Sequence, residues 1–314
     1  MSTFDPLIFF GTPEFALPTL ARLVTEGYAP GLVVSRPAKP SGRGRELHDP
    51  PVARWAKAHG IAVRQPAKAG DPEFLIEIES LRPQVAVVVA YGQIFGRRLL
   101  QGPVYGCINL HASLLPRHRG AAPIQASILA GDETTGVSTM LMAEGLDTGP
   151  ILLQRELAIG KGETAGELSR RLAELGAEAV LETLRGLEQG EMLPRAQDST
   201  LATYAPRLTK EVGHFEWTLP ARTLLNQLRA YTPWPGMATQ WQGGPVKVLR
   251  AEMALPQGGD APGTVVAVER DRVRVRCGGN TALDLLELQR PGRRALAAGD
   301  FANGERLRPG QRFS

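Results

Sequence analysis

Over its first 110 residues the chain alternates between short runs that are apolar throughout and longer stretches with helical spacing. The apolar runs are Leu7-Ile8-Phe9-Phe10, Leu32-Val33-Val34, Ile61-Ala62-Val63 and Val85 to Ala90. Phe15 to Glu26, Val52 to His59 and Phe74 to Leu81 are the helical stretches between them. A strand that is apolar on both faces must be covered on both, and a parallel neighbour is reached only by a crossover, usually a helix. The alternation therefore predicts an α/β fold built on a doubly wound, mostly parallel sheet.

The pattern changes further along. Residues 163–189 read as one amphipathic helix, with Leu168, Leu172, Leu175, Ala179 and Leu184 at helical spacing. Residues 190–207 show no period and contain Pro194 and Pro206, which reads as a linker. A helix over Ala221 to Ala230 follows, then short alternating strands at 246–249, 263–268, 273–276 and 283–288 with Gly, Pro and Asp turns between them. These predict a small C-terminal β-barrel of the OB-like kind. The expected division is a catalytic domain over 1–189, a linker over 190–207 and a barrel over 208–314.

Charge follows the same division. The 36 basic and 32 acidic residues of the 314-residue chain give a net charge of only +4. Residues 207–314 hold 16 basic and 10 acidic side chains, a net of +6, whereas residues 1–206 hold 20 and 22, a net of −2. A near-neutral body joined to a basic module points to a polyanionic partner. A hydrophobic content of 43% excludes global disorder. Cys107 and Cys277 are the only cysteines, too few for a disulfide framework or a zinc site, so a reducing compartment is expected. His48, His59 and His214 stand apart with no partner at metal spacing, so no metal is expected. The start, Met1-Ser2-Thr3-Phe4-Asp5-Pro6, lacks the basic n-region of a signal peptide. No apolar run approaches the roughly 18 residues that span a bilayer. A cytoplasmic, monomeric protein without a membrane partner is expected.

The first strand-to-helix turn is Gly11-Thr12-Pro13-Glu14-Phe15-Ala16. A dinucleotide fingerprint needs a second glycine where Pro13 stands, so that the backbone can approach a pyrophosphate. Nicotinamide oxidoreductase chemistry fails there. Residues 36–51 combine Arg36, Lys39, Arg43 and Arg45 with four prolines and two glycines over 37–51. This reads as a long loop, either a solvated linker or a basic segment that orders on a phosphate backbone.

The densest chemistry lies in Cys107-Ile108-Asn109-Leu110-His111-Ala112-Ser113-Leu114-Leu115-Pro116, with Arg119-Gly120-Ala121-Ala122-Pro123-Ile124 and Gly145-Leu146-Asp147-Thr148-Gly149 behind it. In a strand, Asn109 and His111 share one face, ~6.5–7 Å apart. In open α/β sheets, ligands bind outside the carboxyl ends of the strands. Taken singly, each residue has a structural reading: a strand-end histidine, a turn-forming aspartate, a capping asparagine. Together they supply an amide donor, an imidazole and a carboxylate, with no serine or cysteine nucleophile paired to His111. That inventory suits acyl transfer without a covalent intermediate.

These motifs resemble the formyltransferases that use 10-formyltetrahydrofolate. The Gly11–Ala16 turn, Ala90-Tyr91-Gly92, the 36–51 segment and Tyr231-Thr232-Pro233-Trp234-Pro235-Gly236 resemble the branch that formylates methionyl-tRNA. The resemblance covers essentially the whole chain. It implies a Rossmann-like formyltransferase domain followed by the small barrel. It implies Asn109, His111 and Asp147 as catalytic residues, and a folate site at Ser113, Leu114, Leu115 and Pro116 together with Ala90, Tyr91 and Gly92. The formyl donor would be 10-formyltetrahydrofolate, and the partner methionyl initiator tRNA, whose acceptor end meets the 36–51 segment. Contacts expected for the tRNA are Arg36, Lys39, Arg43, Arg45, Lys210, Lys247, Arg272 and Arg274. Arg272-Val273-Arg274-Val275-Arg276 would set three guanidinium groups on one strand face, either an ordinary solvated face or a track for phosphates. Two departures from the family pattern are His118 where a tryptophan is usual and Phe95-Gly96 where Leu-Pro is usual. Glycinamide ribonucleotide and sugar-amine formyltransferases share the chemistry. Residues 207–314 and the 36–51 segment argue against both. A non-enzymatic RNA-binding module would leave Asn109, His111 and Asp147 idle.

Overall fold

The computed structural model describes residues 3–41, 46–255 and 261–314. The chain forms two compact units. One comprises Met1–Pro123, Thr134–Ala158 and Ser169–Ala205, the other Ile124–Glu133, Ile159–Leu168 and Pro206–Ser314.

In chain order the elements are β1 (Leu7–Gly11), α1 (Leu17–Thr25), β2 (Leu32–Val34), β3 (Lys39–Ser41), β4 (Glu46–His48), α2 (Pro51–Ala58), β5 (Val63–Arg64), α3 (Pro72–Leu81), β6 (Val85–Val89), α4 (Arg97–Leu100) and β7 (Cys107–His111). There follow β8 (Arg119–Gly120), α5 (Pro123–Ala130), β9 (Thr134–Leu141), β10 (Ile151–Ala158), α6 (Ala165–Glu188) and β11 (Tyr204–Ala205). A seven-stranded sheet runs β10-β9-β7-β6-β1-β2-β5. The five strands from β7 to β5 are parallel, and β9 and β10 join antiparallel at one edge. The apolar runs have become buried strands: every residue of β1, β2 and β6 is inaccessible. Ile61-Ala62-Val63 contributes only the two-residue edge strand β5, whose Val63 is half-buried and whose Arg64 is exposed, without the burial that sustains a longer strand.

The strand order reverses between β1 and β6, which places a crevice at their carboxyl ends. There the Thr12 hydroxyl donates to the Tyr91 carbonyl at 3.0 Å, tying the two strand ends together. Beneath them Phe10 meets Tyr91 and Phe95 edge-on, with ring centroids 5.4 and 4.9 Å apart. On the far face of β7, Leu110 packs where α6 has Gly176. A Cβ at that position would stand 2.5 Å from Leu110 Cδ2, so the helix approaches the strand closely only because no side chain intervenes.

Two expectations for this unit are corrected. Residues 36–51 are not a plain loop: β3 and β4 form an antiparallel ribbon, Lys39 opposite His48 and Ser41 opposite Glu46. Residues 190–207 are not a free linker. Arg195 exchanges backbone hydrogen bonds with Ile151 at 2.8 Å, and β11 pairs in parallel with β8. Backbone pairing needs no hydrophobic period, so neither pairing leaves a mark in the sequence.

In the second unit, α7 (Ala221–Ala230) precedes β12 (Met237–Trp241), β13 (Gly244–Ala254), β14 (Val265–Val268), β15 (Val273–Cys277), β16 (Thr281–Gln289), β17 (Leu296–Ala297) and α8 (Ala298–Gly304). The antiparallel sheet runs β12-β13-β16-β15-β14, with β17 also on β16. Its two free edges are joined by residues 310–314. Gln240 and Ser314 exchange backbone hydrogen bonds at 2.7 and 3.2 Å. Gln311 and Phe313 pair with Val265 and Gly263 at 2.8 and 2.9 Å. This closes the sheet into a barrel and removes its exposed edges. The β12 strand went unread in the sequence. It is joined to β13 by Gln242 and Gly243, both at positive φ (+47° and +74°), as a tight hairpin turn requires. Stacked Phe215 and Trp217, with Phe313 and Trp241, fill the interior.

Candidate active site

Strand β7 sets the geometry. Its residues alternate: Ile108 and Leu110 face one way, Asn109 and His111 the other. Among the described residues the Asn109 amide makes no hydrogen bond, and the residue is partly open to solvent, so its donors remain available. His111 is buried. Its Nε2 lies 3.0 Å from the His118 carbonyl oxygen. A carbonyl only accepts, so Nε2 carries a hydrogen. The other ring nitrogen, Nδ1, faces Asp147 Oδ2 at 3.7 Å, too far for a hydrogen bond. The neutral ring would aim a lone pair at the carboxylate, and the doubly protonated ring is the form complementary to it.

Asp147 is held by its own loop. Its φ is +51°, a left-handed conformation that aspartate tolerates better than most residues. The Gly120 N–H donates to its Oδ2 at 2.8 Å. Gly120 itself has φ +125°, and a Cβ there would stand 2.5 Å from the Ala205 carbonyl oxygen, so only glycine fits. A residue unread in the sequence completes the arrangement. The Gln197 amide nitrogen donates to the carbonyls of Asp147 and Gly149 at 2.8 and 2.7 Å. Its oxygen accepts from Arg119 Nε and Nη2 at 3.0 and 2.7 Å. A glutamine in a segment without period carries no local signal, and only the fold brings it here.

The residues expected to meet folate divide in two. Ala90 (φ +47°) and Gly92 (φ +81°) form an exposed turn beyond β6. Leu114 and Pro116 are partly exposed. Tyr91, Ser113 and Leu115 turn inward. Burial pushes the Tyr91 phenol up to about 12. Ser113 Oγ donates to the Arg117 carbonyl at 2.7 Å, while Ser138 Oγ donates to the Ser113 carbonyl at 2.7 Å and accepts from the Leu115 N–H at 3.0 Å. These three shape the site from below, and their side chains are not presented to a ligand.

At the carboxyl ends of β1 and β2 lies a cleft of about 570 Å³, lined in part by Thr12, Glu14, Arg36, Lys39, His48 and Arg54. Arg36 Nε is buried and has no hydrogen-bond partner among the described residues. Arg43 and Arg45 lie outside the described residues. In the second unit Lys210, Lys247 and Arg250 are exposed. Arg274 and Arg276 of β15, and Arg272 just before it, are each engaged by a neighbouring side chain. Arg274 binds Asp284 through two hydrogen bonds of 2.8 and 2.9 Å. Arg272 pairs with Asp271 at 3.1 Å and Glu252 at 3.3 Å, and Arg276 is buried against Asn280. Neighbouring carboxylates on the same sheet neutralise what the sequence presents as a run of positive charge. Among the described residues no group of three or more His, Cys, Asp or Glu side chains could hold a metal ion, and no helix is long and apolar enough to cross a membrane.

Comparison with known proteins adds three findings. The profile described as "Formyl transferase" matches residues 7–184, and that described as "Formyl transferase, C-terminal domain" matches residues 207–306. Methionyl-tRNA formyltransferase of Citrifermentans bemidjiense is 46% identical over 304 residues, spanning 97% of this chain and 95% of that protein. The protein of the same description from Caldanaerobacter subterraneus is 45% identical, spanning 97% of this chain and 98% of its own length. Among solved structures, the N-formyltransferase of Helicobacter canadensis, in complex with folinic acid and dTDP-3-aminofucose, superposes with a TM-score of 0.67 at 16% identity. That match covers 90% of this chain and 98% of that one, and it speaks to the fold alone.

Proposed function

The chain belongs to the formyl transferase family, and from that premise we propose how its residues carry a formyl group from 10-formyltetrahydrofolate to the α-amino group of methionyl initiator tRNA. The observation that supports this reading best is the His111–Asp147 pair, with one imidazole nitrogen capped by the His118 carbonyl and the other left uncommitted 3.7 Å from a carboxylate.

The neutral α-amine of the esterified methionine attacks the formyl carbon. Negative charge grows on the formyl oxygen, where the Asn109 amide and the Nδ1–H of His111 donate to it. Nε2 is already committed, so Nδ1 is the nitrogen that serves the substrate. Asp147 stabilises the charged ring and, through water, carries the proton lost by the amine to the departing N10. The C–N10 bond then breaks, giving N-formylmethionyl-tRNA and tetrahydrofolate. N10 leaves as an amine only when it is protonated, so a relay between the two nitrogens is part of the chemistry. The exposed Ala90–Gly92 turn and the half-open Leu114 and Pro116 offer the donor its surface.

The tRNA is met by charge. Arg36 and Lys39 stand in the cleft and at the β3–β4 ribbon, with Arg43 and Arg45 in the segment between. Lys210 and Lys247 offer exposed positive charge on the second unit. Arg272 and Arg274 act there only if tRNA displaces their carboxylate partners. The chain acts as a monomer in the cytoplasm, where initiator tRNA is charged.

Formyl transfer from labelled 10-formyltetrahydrofolate, initiator against elongator methionyl-tRNA, tests the reading. Equal rates on the two tRNAs would point to another acceptor. Asn109→Ala should lower single-turnover formylation about 10²–10³-fold with folding unchanged, the usual cost of one oxyanion donor. Deleting residues 40–46 should impair tRNA formylation and spare folate binding. Unaltered tRNA kinetics would make the ribbon a bystander.

A further inference from the structure

Residues 195–205 grip both flanks of the His111–Asp147 pair. On the Asp147 side, the Gln197 amide donates to the carbonyls of Asp147 and Gly149 and, at 3.9 Å, to Met140 Sδ, while its oxygen accepts twice from Arg119. On the His111 side, Thr203 Oγ1 accepts from the His118 N–H at 2.8 Å, and the Thr203 carbonyl accepts from the Arg119 N–H at 2.8 Å. His118 is the residue whose carbonyl takes the Nε2 hydrogen of His111. Ala205, at the end of the same segment, accepts from the Ala121 N–H at 2.9 Å, next to the Gly120 N–H that holds the Asp147 carboxylate.

We propose that Gln197 is a positioning residue for formyl transfer, and that it acts on Asp147 through the backbone of the 145–149 loop. This rests on the catalytic reading of Asp147 given above. The physical need is plain. Asp147 has a left-handed backbone in a loop whose side chains at 143–146 and 148 are exposed, so little packing holds it. Its carboxylate has one backbone donor and an imidazole 3.7 Å away. A small rotation of the loop would turn the carboxylate off Nδ1 without unfolding anything. The Gln197 amide spans the carbonyls on either side of Thr148 and fixes that rotation. Arg119, whose side chain is buried, fixes the amide in turn. A 1 Å misplacement at a reacting group can cost on the order of 10²-fold in rate, which sets the scale of the effect.

The test is a double-mutant cycle in the full chain, read as single-turnover formylation. Gln197→Glu has the same shape and keeps an acceptor for Arg119 but cannot donate to the two carbonyls, whereas Gln197→Ala removes everything. Both should lower kcat ~10–100-fold while KM for the folate donor and for tRNA stays within about threefold. In an Asp147→Ala background, Gln197→Ala should cost less than about twofold further, because the group it positions is gone. An equal loss in both backgrounds would make Gln197 a general stabiliser and overturn the proposal. Full activity in Gln197→Glu would do the same. Asp147→Ala alone at wild-type rate would overturn it for a different reason, by removing the reading on which it rests. If Gln197→Ala fails to fold, Gln197→Glu in both backgrounds carries the same comparison.

Discussion

Asp147 in the first unit and Asp284 in the second are both carboxylates beside a cationic or basic partner, and they have opposite fates. Asp284 is buried and grasped by the Arg274 guanidinium through two good hydrogen bonds, with Arg272 3.6 Å away. Each of its oxygens accepts from Arg274 inside the barrel wall. Asp147 sits at the rim of the sheet with one backbone donor, and it faces an imidazole across a gap no hydrogen bond spans. A carboxylate with both oxygens held by a guanidinium is part of the architecture. An unsaturated one beside an unsatisfied imidazole has capacity left for a substrate. The same residue type is assigned to function or to structure by how much of its hydrogen bonding the fold consumes.

The sharpest way to break this contrast is to remove each carboxylate. Asp147→Ala should lower formylation about 10³-fold, within the range of acid–base catalysis, and leave stability nearly unchanged. Near wild-type turnover would place it beside Asp284 as a structural group. Asp284→Ala should do the reverse. It strands a guanidinium that is only 15% exposed, and breaking such a pair costs about 3–5 kcal/mol. Urea unfolding should show that loss, while kcat of the remaining folded enzyme is preserved. A stability within 1 kcal/mol of wild type, a small change on that scale, would refute the architectural role.

The two units also share a feature that sharpens the contrast by its sameness. Each buries one thiol, and burial pushes both Cys107 and Cys277 up to about 12. Above the ordinary thiol range, ~8.5, the unfolded chain releases these protons while the folded chain keeps them. The unfolded state then binds fewer protons, so stability falls as pH rises through that window, by at most about 1.4 kcal/mol per pH unit for each thiol. Denaturation midpoints that do not change across that window would sink this, and Cys277→Ala should flatten the slope. The smallest effect belongs to the exposed cations. Lys247→Glu with Arg250→Glu should leave stability unchanged and make the salt dependence of tRNA binding shallower by about one unit per lost phosphate contact. The same pair of changes should not touch folate affinity. An unaltered salt slope would remove Lys247 and Arg250 from the tRNA contacts.

Much of the first unit was legible in the sequence, because strands buried on both faces announce themselves as unbroken apolar runs. That Asn109 and His111 share one strand face was legible as well, since they lie two residues apart on β7. What surrounds them was not. Gln197 lies 50 residues from Asp147 in the chain and touches it through a backbone carbonyl, a contact that imposes nothing on neighbouring residues. The pairing of β3 with β4 was hidden because Pro40 and the prolines flanking these strands read as a loop, although edge pairing tolerates proline. Arg272, Arg274 and Arg276 alternate along the chain, yet Asp284 and Glu252, which pair with the first two, come from other strands.

The sequence by itself determined the layered α/β unit, the barrel after it and the inventory of polar side chains at the strand ends, because burial and chemistry act through residue type and short-range period. Only the tertiary structure decided which of those groups remain free to react. That depends on hydrogen bonds between distant segments, and whether a polar group is satisfied is a property of where the chain brings its partners.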